Sequence, residues 1–231
     1  MPDAVTIALY ADLSCPYAYI TAYRLRKLRD EYRGRISIVH KCLALEYVNR
    51  EPTPKRLLDI ELAVLMLGEP DIPYQPWNAP ESMWPVTFWP AFEAIKCAER
   101  QGLELADDLS WAIRTALFAD SRCVAMRDVL LALAEQVGLD MPQFEADYDT
   151  GVAKRAVIDE AREGWERLRV NGSPTFVLPS GRQVSALGLP ELEMDENGRP
   201  LSLRAAPCQG DTCLDLYREL FAEALDEPHA Q

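Results

Sequence analysis

Ala11-Asp12-Leu13-Ser14-Cys15-Pro16-Tyr17-Ala18 is the stretch on which the reading of this 231-residue chain turns. Ahead of it, residues 4–10 (Ala-Val-Thr-Ile-Ala-Leu-Tyr) form a short apolar run with β-branched members, the pattern of a buried strand. Behind it, Ala18, Ala22, Leu25, Leu28 and Tyr32 recur at spacings of three and four, with Arg24, Lys27 and Arg29 on the polar side. That spacing predicts an amphipathic helix, which Gly34 stops. Residues 36–42 (Ile-Ser-Ile-Val-His-Lys-Cys) read as a second strand. Strand, helix and strand in this short a stretch make a βαβ unit with parallel strands.

Further along, the texture changes. Helical patterns run over 55–67, 91–101, 108–118, 124–137 and 152–168; in the clearest, Met126, Val129, Leu130, Leu133 and Val137 form one stripe ending at Gly138. Between the first two, Pro70, Pro73, Pro76, Pro80, Pro85 and Pro90 interleave with Tyr74, Trp77, Trp84, Phe88 and Trp89. So many prolines forbid a continuous helix and predict an ordered loop or lid. Strand signals return after Asn171-Gly172-Ser173-Pro174. Residues 175–178 and 183–187 flank Pro179-Ser180-Gly181-Arg182 as a hairpin, and a second hairpin turns at Asp195-Glu196-Asn197-Gly198. An amphipathic helix near 212–225 carries Leu214, Tyr217, Phe221 and Leu225 on one face. The order is βαβ, a block of helices, then ββα. This predicts an α/β fold in which 1–53 and 170–231 form one discontinuous domain and 54–169 a helical insertion.

Composition narrows the chemistry. With 48% hydrophobic and 26% charged residues the chain has material for a core, which excludes disorder throughout. The 37 acidic against 24 basic residues, net −13, argue against a nucleic-acid groove and against docking on an anionic membrane. Met1-Pro2-Asp3-Ala4-Val5-Thr6 lacks a secretory signal pattern, and no apolar run approaches the ~18–20 residues of a membrane span. A cytoplasmic location is expected, where most of the six cysteines stay thiols.

Cys15 sits where the first strand ends and the helix begins, and Pro16 suits the first helical position. A thiol there faces free backbone N–H groups and the positive end of the helix dipole, surroundings in which cysteine pKa values fall to ~3.5–7.5. Thiolate attacks disulfides and electrophilic carbon. The same position equally suits a buried cysteine that never reacts. A second feature favours chemistry: Pro174 must lie at the first residue of its strand or on a sheet edge, since proline cannot donate to a ladder. A cis Ser173–Pro174 bond fits there. That loop can fold beside the helix start and expose the Ser173 backbone to a peptide or thiol ligand.

Cys15-Pro16-Tyr17-Ala18 at the first helix, with Gly172-Ser173-Pro174-Thr175-Phe176 before the third strand, resembles the thioredoxin-like superfamily. The helical block between the halves resembles the DsbA family. The textures of 94–102 and of 128–140 are similar to its cytosolic FrnE-type members. The resemblance covers almost the whole chain and implies a thioredoxin-like core with a DsbA-like helical insertion. It also implies thiol chemistry at Cys15, flanked by Ser14, Pro16, Tyr17 and Ala18, with Ser173 and Pro174 as the substrate-facing loop. The departure is at Ala18, where family members carry the resolving cysteine of Cys-x-x-Cys. Release of a mixed disulfide then requires glutathione or another cysteine. Residues 12–19 are also similar to 2-hydroxychromene-2-carboxylate isomerase, which usually has Ser in place of Cys15 and uses glutathione. The tetrad resembles a monothiol glutaredoxin site as well.

Cys208 and Cys213, separated by Gln209-Gly210-Asp211-Thr212, can close a disulfide or remain two thiols. A zinc site would need two further ligands, for which the chain offers only His40 and His229, so no metal is expected. Some FrnE-like proteins end in a comparable pair, which implies an auxiliary redox pair or a resolving thiol. Cys42, Cys97 and Cys123 read as packing residues, as does His40. The aromatic cluster Trp77, Trp84, Phe88, Trp89 and Phe92 reads as core, its alternative being an apolar wall over Cys15. Tyr17 and Tyr19 flank the thiol, and Asp12 opposes thiolate formation.

Three functions follow. The first is a DsbA-type thiol–disulfide oxidoreductase acting through Cys15 alone. The second is a glutathione-dependent isomerase or transferase on a small aromatic molecule. The third is a degenerate thioredoxin-fold binding protein. No tightly bound cofactor is expected, glutathione enters as cosubstrate, and the partners are protein disulfides or a small thiol or aromatic substrate.

Overall fold

The computed structural model describes residues 4–226; His229, one of the two histidines weighed as a zinc ligand, lies outside them. Strand β1 (Val5–Ala11) pairs in parallel with β2 (Ile36–Cys42), in register from Val5↔Ile36 to Ala11↔Cys42. The connecting helix α1 (Pro16–Tyr32) ends just ahead of Gly34, whose φ of 76° suits glycine. On its other edge β1 pairs antiparallel with β3 (Thr175–Val177), which pairs with β4 (Gln183–Ser185). The sheet order is β2-β1-β3-β4.

Alternation along β1 sorts the two faces. Val5, Ile7, Leu9 and Ala11 pack with Leu25 and Leu28 of α1, and with Leu214, Tyr217, Leu220 and Phe221 of the closing helix α9 (Asp211–Asp226). Each buried Val, Leu, Ile or Phe side chain among them is worth about 1.5–3 kcal/mol. Tyr10, on the opposite face, packs with Leu43, Val170 and Trp165.

Between β2 and β3 run α2 (Leu45–Asn49), α3 (Lys55–Gly68), α4 (Trp89–Glu99), α5 (Leu103–Phe118), α6 (Arg127–Gln136), α7 (Met141–Thr150) and α8 (Lys154–Arg162). They share a core that reaches Leu13, Tyr19 and Ile20 of the α1 region and Cys42 at the end of β2. Three helix readings need correction. The expected helix 108–118 begins a turn earlier, at Leu103. Helix α7 went unread because its apolar stripe is weak; its signals are Asp140, whose carboxylate accepts from the Gln143 N–H at 3.3 Å, and Pro142 in the first turn. The expected helix 152–168 is α-helical only to Arg162 and widens into a π-helical segment, Glu163–Leu168. Gly164 lies there against the sheet, where a Cβ would come within 2.6 Å of Leu43 and 2.9 Å of Tyr10. The backbone approaches that closely only without a side chain.

The proline-rich segment is ordered, with a 3₁₀ turn at Glu81–Met83. It is pinned by Gln75 N–H to the Phe118 carbonyl (2.9 Å), Asn78 N–H to Ser121 Oγ (3.0 Å) and Trp84 Nε1–H to the Thr53 carbonyl (3.1 Å). The second predicted hairpin forms as β5 (Glu191–Met194) and β6 (Pro200–Arg204), joined through the Asp195–Gly198 turn. It stands as its own two-stranded sheet rather than extending the first. Its Leu192 packs against the helical core.

Candidate functional site

Strand β1 delivers the chain to the start of α1 at the carboxyl end of the parallel pair. Cys15 is the residue that caps α1, with extended backbone angles (φ −79°, ψ 118°), and Pro16 follows in the first turn. The Cys15 carbonyl accepts from the Tyr19 N–H at 3.0 Å, and the Cys15 side chain caps no backbone N–H. The loop before it is organised by Asp12. Its Oδ1 accepts from the Ser14 N–H (2.7 Å) and hydroxyl (2.6 Å), and its Oδ2 accepts from the Leu45 N–H (2.8 Å). Ser14 Oγ also meets Thr53 Oγ1 at 2.7 Å. From α5, Arg114 Nη1 donates to the carbonyls of Asp12 (2.9 Å) and Leu13 (3.3 Å). The helical block therefore holds the loop that presents the thiol.

The Ser173–Pro174 peptide is cis. Ser173 Oγ accepts from the Asp12 N–H at 2.8 Å, and the Cys15 thiol donates to the Ser173 carbonyl at 3.4 Å. Two segments 158 residues apart thus meet at the sulfur. The predicted site residues Ser14, Cys15, Pro16, Tyr17, Ser173 and Pro174 converge. The Ser173 backbone is less open than expected, since its carbonyl is already occupied by the thiol.

The electrostatics overturn one expectation. Cys15 is 6% exposed, and burial pushes its thiol up to about 12, with the Glu61 carboxyl adding to the rise; the Ser173 hydroxyl and the Ala18 backbone N–H pull the other way. The helix start is a local influence, whereas desolvation is imposed by everything packed around the sulfur, and here it wins. Glu61, on α3, was not among the predicted residues. Its carboxyl is pushed up to about 7, first by burial and then by Asp12. Tyr17 is pushed up to about 12 by burial and by Glu61, against a backbone hydrogen bond at Leu192. Asp12 is itself raised by burial, which outweighs its hydrogen bonds and Arg114. The sequence did hold a signal for Glu61, the single carboxylate in the otherwise apolar run 60–67.

Residues 6–196 match the model of the DSBA-like thioredoxin domain. The chain belongs to that family. Among solved structures, the DSBA-like fold superposes on the cytosolic disulfide reductase DsbM from Pseudomonas aeruginosa with a TM-score of 0.63, at 23% identity, covering 78% of this chain and 88% of that one. That protein has also been solved with GSH. A 2-hydroxychromene-2-carboxylate isomerase superposes with a TM-score of 0.55 at 18% identity, covering 78% and 87%. A curated relative, the ClpXP adapter protein SpxH of Halalkalibacterium halodurans, is 33% identical over 86 residues. That match spans 37% of this chain and 28% of the relative's length.

Within this DSBA-like frame the remaining candidates separate from Cys15. Ala18, at the resolving position, is fully buried in the core between α1 and the sheet. Cys208 and Cys213 form a disulfide, with Cα atoms 5.0 Å apart. The Cys208 sulfur lies 3.5 Å from the Gly188 carbonyl, which also accepts from Arg24 Nη1 at 2.7 Å. Arg24 is more than two turns along α1 from Cys15, roughly 13 Å at helical rise. The structure does not bring this pair to the site thiol. Cys42, Cys97 and Cys123 are buried free thiols. His40 Nε2 lies 2.8 Å from an Asp107 oxygen. Phe88 and Phe92 are buried in the helical core with Trp77, Trp84 and Trp89 packed against it, and Tyr19 stacks on Phe118 at 4.7 Å. Among the described residues no group of three or more His, Cys, Asp or Glu could hold a metal, and no helix is long and apolar enough to cross a membrane. A cavity of about 250 Å³ opens at the far end of α1, lined by Leu28, Tyr32, Ile36, Leu103 and Phe221.

Proposed function

We propose that this DSBA-like chain catalyses thiol–disulfide exchange through Cys15 alone, with glutathione as the resolving thiol. The observation that carries the reading is the Cys15 sulfur at the start of α1, donating to the Ser173 carbonyl immediately before Pro174. A substrate disulfide that displaces this contact meets the sulfur and the loop together. The Cys15 sulfur attacks, a mixed disulfide forms, and the substrate's second sulfur leaves as a thiol. Ala18 supplies no second thiol, so an external thiol attacks the mixed disulfide and returns Cys15–SH. The DsbM neighbour solved with GSH supports glutathione in that part. The high pKa of Cys15 supports a resting thiol that is activated only when substrate arrives.

The test is exchange with glutathione disulfide followed in the wild type and in Cys15→Ser. Loss of activity by about a hundredfold or more is expected, the scale on which removal of a nucleophile is felt. Unchanged exchange in the folded variant would end the reading. A second reading, a binding protein with a relic cysteine, is favoured by the burial of Cys15 and by the absent partner at Ala18. It expects no adduct at Cys15. The isomerase reading is supported by fold likeness to 2-hydroxychromene-2-carboxylate isomerase and expects saturable glutathione binding beside Ser173 without exchange.

A further inference from the structure

Arg24 and Arg114 are both buried in this fold, and their surroundings serve them differently. Arg24 meets protein along its whole fork: Nε donates to Glu69 at 2.7 Å, Nη1 to the Gly188 carbonyl at 2.7 Å and Nη2 to the Gly68 carbonyl at 3.2 Å. Arg114 donates through Nη1 to the Asp12 and Leu13 carbonyls, at 2.9 and 3.3 Å, but its Nε–H has no partner in the protein. One turn earlier on α5, the Ser110 hydroxyl is buried without a partner as well. The two residues are 1% and 2% exposed, Ser110 the lower. Residues four apart share a helix face, and Ser110 and Arg114 line one cavity, against the apolar side chains of Leu13, Phe92 and Ile95. Its volume to a water-sized sphere, about 10 Å³, is near what one water molecule needs. The other ionisable groups at its wall are engaged: Lys41 and Lys96 with Glu160, and His40 with Asp107. Native folds rarely leave a buried donor without an acceptor, and a buried water makes two to four hydrogen bonds where polar groups converge.

We infer that this cavity is a water site, in which one water molecule accepts from the Arg114 Nε–H and pairs with the Ser110 hydroxyl, and that through it Ser110 is a positioning residue for Cys15. A guanidinium is planar and rigid. Fixing Nε therefore fixes the direction in which Nη1 meets the Asp12 and Leu13 carbonyls. The next links are in place: the Asp12 N–H donates to Ser173 Oγ at 2.8 Å, and the Cys15 thiol donates to the Ser173 carbonyl at 3.4 Å. The water stands at the inner end of a hydrogen-bonded path whose outer end is the reacting sulfur. Ser110 touches neither sulfur nor substrate and acts through Arg114. The water is read from the cavity and its two donors, whereas its effect on Cys15 rests on the exchange proposed above. No bond, proton or electron of the exchange passes through it.

The test begins with a crystal structure of the full chain, grown with bromide as the halide and at a resolution that shows ordered water. One peak is expected within about 3.2 Å of both Ser110 Oγ and Arg114 Nε, without anomalous bromide signal. No peak, or a bromide in its place, would overturn the water site. The positioning role is read in Ser110→Ala by amide hydrogen exchange and by turnover of glutathione disulfide. The Asp12 amide should exchange faster by about threefold to tenfold, while amides of the β1–β2 ladder keep their rates. Turnover should fall in kcat by a similar factor with KM unchanged, because the nucleophile is misplaced and no substrate contact is lost. Arg114→Lys keeps the charge and drops the Nε–H, so adding Ser110→Ala to it should cost nothing further. Thermal unfolding accompanies each variant, and Ser110→Ala decides by itself where Arg114→Lys does not fold. Additive losses in the double variant, an unchanged Asp12 amide, or exchange raised throughout the sheet would each overturn the positioning role. A folded wild type without turnover at Cys15 would overturn the exchange reading alone, and the peak and the Asp12 amide would still decide the water.

Discussion

Two cysteine sites in this molecule begin a helix, and they have opposite fates. Cys15 caps α1 and stays a single thiol, buried against the Ser173 carbonyl and within electrostatic reach of Glu61. Cys213 lies in the first turn of α9 and is closed onto Cys208 across a short loop, packed at Gly188. Helix position alone therefore assigns neither reactivity nor redox state. What differs is the surroundings: a distant loop and an unpaired carboxyl at one, a local partner at the other. On the function proposed above, the contrast assigns exchange to Cys15 and a structural role to the pair.

The sharpest way to break this contrast is to remove the pair. Cys208→Ser with Cys213→Ser should lower unfolding stability by about 2 kcal/mol, from the loop-closure entropy of so short a loop. Denaturant unfolding reads this, and exchange at Cys15 should stay within about twofold, since no shared contact links the sites. A collapse of exchange in the folded double variant would make the pair a relay.

The next change makes the first site resemble the second. Ala18→Cys places a thiol one helical turn from Cys15, on the same face. If the Cys15 sulfur is the nucleophile, insulin reduction should rise by about tenfold or more, because resolution becomes intramolecular. Ala18 is fully buried, so thermal unfolding must accompany the assay. No gain in a folded variant would count against exchange at Cys15.

The smallest effect concerns the carboxyl that sets the first site apart. Burial, and then Asp12, push the Glu61 carboxyl up to about 7, above the ordinary glutamate range, so the folded state prefers its protonated form. That preference contributes stability below the unfolded pKa and is lost as pH rises through about 7. Above this window the ionised carboxylate is a burden, and Glu61→Gln should stabilise the fold by about 1 kcal/mol at pH 8, allowing for its partial exposure. Near pH 4 the two proteins should melt alike. Equal melting at both pH values would remove Glu61 from the buried side of the site.

The sequence made much of this frame legible, because its strongest signals are local. Strand β2 begins and ends where its apolar pattern does, and Pro16 marks the start of α1. Pro174 after Asn171-Gly172-Ser173 pointed to the cis bond, and the Asp195–Gly198 turn to the second hairpin. What stayed hidden depends on tertiary packing. In the π-helical segment at 163–168, Gly164 meets Leu43 and Tyr10 from other elements, a contact that no local pattern announces. The raised pKa of Cys15 arises from burial among residues of β1, α1, β3 and α9, with Glu61 of α3 adding to it, and no helix-start rule contains that packing. Glu61 left a trace as a lone acid in an apolar run, and so did Arg114, a lone charge within 111–118.

The central claim is that one thiol of this chain exchanges disulfides. It is tested most directly by exposing the native protein to glutathione disulfide and mapping the mixed disulfide by peptide mass spectrometry. The account predicts one glutathione per chain, on Cys15, with Cys42, Cys97 and Cys123 unlabelled and the Cys208–Cys213 bond intact. A folded protein that takes no glutathione at Cys15, or takes it at the 208/213 pair instead, would contradict it.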